Sequence, residues 1–117
     1  MTGYSLIVVP YLAIASPDFC KRLKEAARQG VTILLTCISG VRDIHLHKTD
    51  ALVTTPLQQL AGIEVKGQEA LFGRKSNTLT YGNQTGQCQF WFDQIEVKTA
   101  SPTASFSGNY FKGYPVV

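Results

Sequence analysis

Charge is scarce in this sequence, and paired cysteines, a phosphate-binding glycine loop and long apolar runs are missing from it. Of its 117 residues 16% are charged, with 11 Lys and Arg against 8 Asp and Glu, for a net charge of +3. The basic residues fall singly or in pairs (Lys21-Arg22, Arg74-Lys75) without interleaved aromatics, so no nucleic-acid-binding stripe is present. The 3 cysteines, Cys20, Cys37 and Cys88, are an odd number with no close spacing. That argues against a disulfide framework and against a zinc-ligand pair. Reduced thiols and a cytoplasmic location are therefore expected. Met1-Thr-Gly-Tyr4 lacks the positive start of a secretory signal, which leaves the Asn83-Gln-Thr85 sequon without a use. The apolar run Leu6–Ala15 is interrupted by Pro10 and falls far short of a membrane span. Gly30 and Gly40 punctuate elements without forming Gly-x-Gly-x-x-Gly, so no nucleotide cofactor is expected.

What is present is an apolar fraction of 44%, ordinary for a globular chain, in a length that suits one domain over residues 1–117. The stretch Val31–Gly40 organises the reading. Val31–Thr36 is apolar or β-branched without polar alternation, as in a parallel strand covered on both faces. Thr36-Cys-Ile-Ser-Gly40 then lies beyond the strand's carboxyl end, where open α/β sheets place their chemistry. Upstream, Tyr4–Val9 reads as a strand stopped by Pro10. Ser16 is an N-cap, Pro17 suits the first helical position, and Phe19, Leu23, Ala26 and Ala27 form one helical face running to about Gln29. Strand, helix and strand in so few residues predict a βαβ unit with parallel strands and a right-handed crossover.

Residues 37–54 form a long polar connection carrying Arg42, Asp43, His45, His47, Lys48 and Asp50. Thr55-Pro56 opens a short helix, Leu57–Ala61, and Ile63-Glu-Val65 alternates like an edge strand. Beyond Lys66 the character becomes β-rich. Thr78–Tyr81 and Gln87–Phe92 predict a hairpin around Gly82–Gly86. Gln94–Lys98, Thr103–Phe106 and Gly113–Val117 predict further strands.

Three groups carry candidate chemistry. Cys37 could be a nucleophile on a strand-to-loop turn, activated by His45 or His47, or simply a buried or loop cysteine. Class I glutamine amidotransferases set such a cysteine in Gly-x-Cys-x-Gly, but Thr36 and Ser39, on either side of Cys37, are not glycines and no capped helix follows. His45, His47 and Asp43 share a face in an extended segment, which suits metal ligation, yet a completing cluster is missing and a plain polar loop is the alternative. Phe90, Trp91 and Phe92, with Tyr110, Phe111 and Tyr114, could be core, a subunit interface or a sugar-stacking surface. The eight carboxylates mark no facing pair of the kind that glycoside hydrolysis needs.

Taken in order, Gly3-Tyr-Ser-Leu-Ile-Val-Val-Pro10, Gln29-Gly-Val-Thr-Ile-Leu-Leu-Thr36, Ser39-Gly-Val-Arg-Asp43, Pro56-Leu-Gln-Gln-Leu-Ala-Gly-Ile63 and Tyr110-Phe-Lys-Gly-Tyr-Pro-Val-Val117 resemble the middle, trimerisation domain of family 42 glycoside hydrolases, the bacterial β-galactosidases. Gln29 stands for a family glycine, and Ile44 follows Asp43 where an acidic residue is usual. The resemblance implies a three-layer, mostly parallel α/β fold of amidotransferase- or flavodoxin-like type, with a β-rich C-terminal part. It implies no catalytic residue here, since the catalytic glutamates lie on a separate barrel domain. It also implies a homotrimer in the parent enzyme, with the loop of Ser39 and Asp43 facing a neighbouring subunit's active site; Trp91 remains a candidate interface or sugar-stacking aromatic. Further chain upstream of Tyr4 and beyond Val117 is implied as well. A small cysteine hydrolase using Cys37 and a carbohydrate-binding module using Trp91 are the alternatives.

Overall fold

The computed structural model describes residues 3–73, 76–108 and 111–116. They divide into two compact units, Met1–Ala61 and Gly62–Val117. The first is the βαβ unit and its extension. Strand β1 (Leu6–Val9) pairs in parallel with β2 (Thr32–Leu35), in a register that sets Leu6 beside Thr32 and Val8 beside Leu34. Between them runs helix α1 (Pro17–Arg28). Its start is fixed by Ser16, whose hydroxyl accepts the Phe19 N–H at 3.2 Å, and Asp18 lies in the positive first turn. Cys20, Leu23 and Ala26, spaced to share one helical face, are its buried residues. A second helix, α2 (Thr55–Ala61), packs Leu57 and Gln58 inward, and the Gln58 amide is satisfied by the Val53 carbonyl at 2.8 Å. The β1–β2 pair is less well covered: Leu6, Val8 and Leu34 are about half exposed.

The second unit is antiparallel throughout. Strand β3 (Ile63–Ala70) pairs with β6 (Trp91–Val97), with a bulge between Val65 and Gly67. Strands β4 (Asn77–Tyr81) and β5 (Gln84–Cys88) make a hairpin on the two-residue turn Gly82-Asn83. Strand β7 (Ala104–Phe106) joins β4, and β8 (Pro115–Val116) joins β7. The core holds Val65, Phe92, Ile95 and Phe106. Phe92 meets Phe106 with ring centroids 4.8 Å apart and Phe111 nearly edge-on at 5.2 Å, a geometry favoured by the ring quadrupoles.

The three-layer, mostly parallel α/β expectation, and with it the amidotransferase- or flavodoxin-like fold, is overturned. Parallel pairing among named strands stops at β1–β2, the other ladders are antiparallel, and both α-helices among the described residues precede Gly62. The physical reason lies in the connections. The α1 crossover returns β2 beside β1, but α2 leads into a strand that pairs with β6 and not with β2, and the strands after Gly62 follow one another without an α-helix among the described residues. The β-rich character of the C-terminal part is present. Gln87–Phe92, expected as one strand, breaks at Gln89-Phe90 into the end of β5 and the start of β6.

Candidate functional site

The polar connection after β2 is the most structured loop of the first unit. Thr36 opens it by accepting the Tyr11 N–H on its hydroxyl at 2.8 Å. Cys37 follows in a turn over residues 37–40. The left-handed backbone falls on Ile38 (φ 62°), and not on Cys37 as a nucleophile elbow would require. Ser39 is buried, hydroxyl oxygen included. Gly40 donates to the Leu12 carbonyl at 2.7 Å and accepts from the Thr54 N–H at 2.8 Å. A Cβ there would sit 2.7 Å from Leu57 Cδ1, and its φ of +74° adds a second reason for glycine.

From Gly40 the chain runs into a small hairpin. Arg42 bridges to Ile14 on one side and to Lys48 on the other. Asp43 closes the apex: its Oδ1 accepts the N–H groups of His45 at 2.8 Å and His47 at 2.9 Å, while its own N–H donates to the His47 carbonyl at 2.9 Å. Its Oδ2 lies 3.7 Å from His47 Nδ1. Desolvation pushes the Asp43 carboxyl up, but the backbone N–H groups of His47 and His45 and the two imidazoles together outweigh it, and the group sits below its ordinary value. Leu46 takes the left-handed conformation (φ 66°) at the tip, a costly geometry for a branched side chain. Ile44, His45, Leu46 and His47 are exposed, with the imidazole centroids 6.1 Å apart. Asp43, His45 and His47 are thus brought together, but as an amide-binding turn. Among the described residues no group of three or more His, Cys, Asp or Glu is arranged to hold a metal ion.

The thiols are of ordinary or reduced reactivity where a direction is resolved. Burial pushes the Cys20 and Cys88 thiols up, against lowering hydrogen bonds, and none of the three cysteines is in a disulfide. Of the aromatic group, Phe92 is core, Phe111 and Tyr114 extend it at 5.9 Å edge-on, and Trp91 is 41% exposed. Phe90 and Phe72 are about three-quarters exposed. Tyr110, like the basic pair Arg74-Lys75, lies outside the described residues.

Sequence reasoning missed a charge ring on the second unit. Glu64 and Glu96 stand directly opposite in the β3–β6 register, which alone would be unfavourable. Lys66 reaches Glu64 at 2.6 Å and Glu96 at 3.2 Å, and Lys98 reaches Glu96 at 2.6 Å and Glu64 at 3.0 Å. Those hydrogen bonds and charges hold both carboxyls below their ordinary values and raise both ammonium groups. The repeated Glu-x-Lys at 64–66 and 96–98 was the available signal, since residues two apart in a strand share a face.

The comparisons with known proteins agree on one family. Residues 1–117 match the family described as the beta-galactosidase trimerisation domain. Beta-galactosidase GanA of Bacillus subtilis (strain 168) is 31% identical over 114 residues, which are 97% of this chain and 17% of the relative. Beta-galactosidase bgaB of Geobacillus kaustophilus is 26% identical over 121 residues, 100% of this chain and 17% of the relative. Among solved structures, the beta-galactosidase from Bacillus circulans sp. alkalophilus matches with a TM-score of 0.89 at 23% identity, over 97% of this chain and 18% of that one. That likeness speaks for the fold alone. The chain thus spans under a fifth of these relatives' lengths, and, matched by the family over all of its residues, it belongs to the trimerisation domain of family 42 β-galactosidases.

Proposed function

We propose that this chain is the non-catalytic assembly part of a longer, multidomain β-galactosidase, which it draws into a homotrimer. The carboxylates that hydrolyse terminal β-galactosides then lie on a separate barrel domain of the parent. The observation that carries this reading is the family match over residues 1–117 combined with coverage of only 17% of a β-galactosidase. The state of five of the 8 acidic residues supports it. Glu64 and Glu96 are held in the lysine ring, Glu69 by Gln94 at 3.0 Å, Asp93 by Gln68 at 3.0 Å and Asp43 by backbone amides. Carboxylates tied up in this way are poor candidates for a general acid and its partner. In the same reading the loop of Ser39 and Asp43 faces a neighbouring subunit's active site, Trp91 lies at or near an interface, and cysteines outside any disulfide suit a cytoplasmic enzyme.

Light scattering of the chain over a concentration range tests this directly. The expected mass is three times that of one chain, without β-galactosidase activity in the sample. A monomer at every concentration would sink the assembly reading. A second reading, sugar stacking on Trp91, is favoured by the partial exposure of that ring beside Phe90. Saturable galactoside binding that vanishes in Trp91→Ala would carry it.

A further inference from the structure

We infer that His45 and His47 form a two-point chelating site for a divalent transition metal ion that favours imidazole (Zn2+, Cu2+ or Ni2+), and that Asp43 is its positioning residue. The site is made within one chain and does not depend on the assembly reading.

Three observations lead to it. First, the two rings are neighbours. Leu46, between the histidines, holds a left-handed backbone (φ 66°), and the imidazole centroids stand 6.1 Å apart with 38° between their planes. Two imidazoles sharing one ion at ordinary bond lengths of about 2.0–2.1 Å have centroids about 4.5–5 Å apart. The rings must close by about 1 Å, and rotation about the bonds of two exposed side chains supplies that. Second, the backbone beneath both rings is fixed in advance. Asp43 Oδ1 accepts the N–H groups of His45 at 2.8 Å and His47 at 2.9 Å, and the bridge between Arg42 and Lys48 closes the hairpin below them. A turn already in shape lowers the ordering cost of binding. Third, the other carboxylate oxygen, Oδ2, lies 3.7 Å from His47 Nδ1. A carboxylate on that side favours the tautomer with its proton on Nδ1 and leaves Nε2 as the ligand, the pairing that accompanies most metal-bound histidines. Its negative charge also offsets Arg42, whose guanidinium donates to the Leu46 carbonyl at 3.5 Å, and Lys48 at the base. Water fills the remaining positions on the ion, so binding is exchangeable and weaker than in a closed four-ligand zinc site.

The experiment titrates Zn2+ into the wild-type chain and follows it by calorimetry and by nitrogen NMR of the imidazoles. Saturation in the micromolar range with one ion per chain is expected, with the His45 and His47 ring nitrogens shifting together. His45→Ala and His47→Ala should each weaken binding by about tenfold or more. Asp43→Asn keeps an acceptor for the two N–H groups but removes the charge beside His47. It should weaken binding by about tenfold and move His47 away from the Nδ1-protonated tautomer, while amide exchange at His45 and His47 stays as in wild type. Cys37→Ser and Cys88→Ser should bind as wild type does. Unchanged affinity in either histidine variant, loss of binding in a cysteine variant, or binding only at millimolar Zn2+ would overturn the site. Wild-type affinity and tautomer in Asp43→Asn would overturn the positioning role.

Discussion

The two units treat their hydrophobic residues differently. In residues 3–61 the aliphatic strands β1 and β2 leave Leu6, Val8 and Leu34 about half exposed, although sheets with parallel strands are ordinarily covered on both faces. In residues 62–116 Phe92, Phe106 and Phe111 stack together, Phe72, Tyr81, Phe90 and Tyr114 stay more than half exposed, and the face of β3–β6 that carries Glu64 and Glu96 holds a compensated ring of four charges. The first unit thus exposes aliphatic side chains of paired strands, while the second exposes aromatic side chains around a buried aromatic cluster. The contrast teaches that a lone parallel pair leaves its strand faces open, whereas the antiparallel ladders bury a common cluster and leave other aromatics outside it.

The strongest challenge to this contrast is Phe106→Ala in the second unit. Phe106 is 2% exposed, and its loss should cost about 3–5 kcal/mol in urea unfolding. Hydrogen exchange should accelerate in residues 62–116 and stay slow in α1; equal acceleration in both would dissolve the distinction between units. Gly62→Ala should cost more than about 1 kcal/mol. Gly62 has φ +70°, and its Cβ would lie 2.6 Å from Thr99 Oγ1 and 2.8 Å from the Ala100 nitrogen. A neutral result would mean that the 98–100 turn yields easily. In the first unit, Ser16→Ala should cost about 1 kcal/mol by freeing the Phe19 N–H, read from the thermal midpoint. On the open strand face, Val8→Thr or Leu34→Thr should change stability by no more than about 0.5 kcal/mol, far less than a buried position would. A large loss there would show that the face is covered in the chain itself.

The charge ring gives the mildest effect and a pH signature. Glu64 and Glu96 titrate lower when folded, so their contribution is complete above the ordinary glutamate value of about 4.3 and fades as pH falls through the lower folded values. Lys66 and Lys98 titrate higher when folded, so theirs is complete below the ordinary lysine value and fades as pH rises through the folded values. Exchange protection along β3–β6 should therefore decline at both extremes, and less steeply in high salt. A flat profile would show the ring to be ornamental.

Local structure was largely legible from sequence. Ser16-Pro17 announced α1, and the helix ends at Arg28, one residue short of expectation. The apolar runs around residues 6 and 33 became β1 and β2, and Pro56-Leu57 lies in α2. The sheets as a whole were not legible. Periodicity reports which face a residue uses but not which strand will lie beside it, so a secure βαβ unit was extended into a parallel sheet that the second half does not continue. Three adjacent aromatics could not tell their own fates: Phe92 went to the core, Trp91 to a half-exposed strand position and Phe90 to a bend outside the ladder. Asp43 reads in the sequence as a candidate metal ligand on one face with His45 and His47, or as part of a plain polar loop. Its capture by two amides depends on the fold-back at Leu46, a backbone geometry that no residue type in the loop announces.

The carbonyl of Gly62 accepts the N–H groups of Lys98, Thr99 and Ala100 at 2.9, 3.0 and 3.1 Å. One acceptor thus satisfies three consecutive donors, and the residue that supplies it is the first of its unit. This dictates where the polypeptide can be severed if the two units are to be produced separately or reordered by circular permutation. A cut on the amino side of Gly62 keeps the acceptor with its donors, whereas a cut one residue later strands all three.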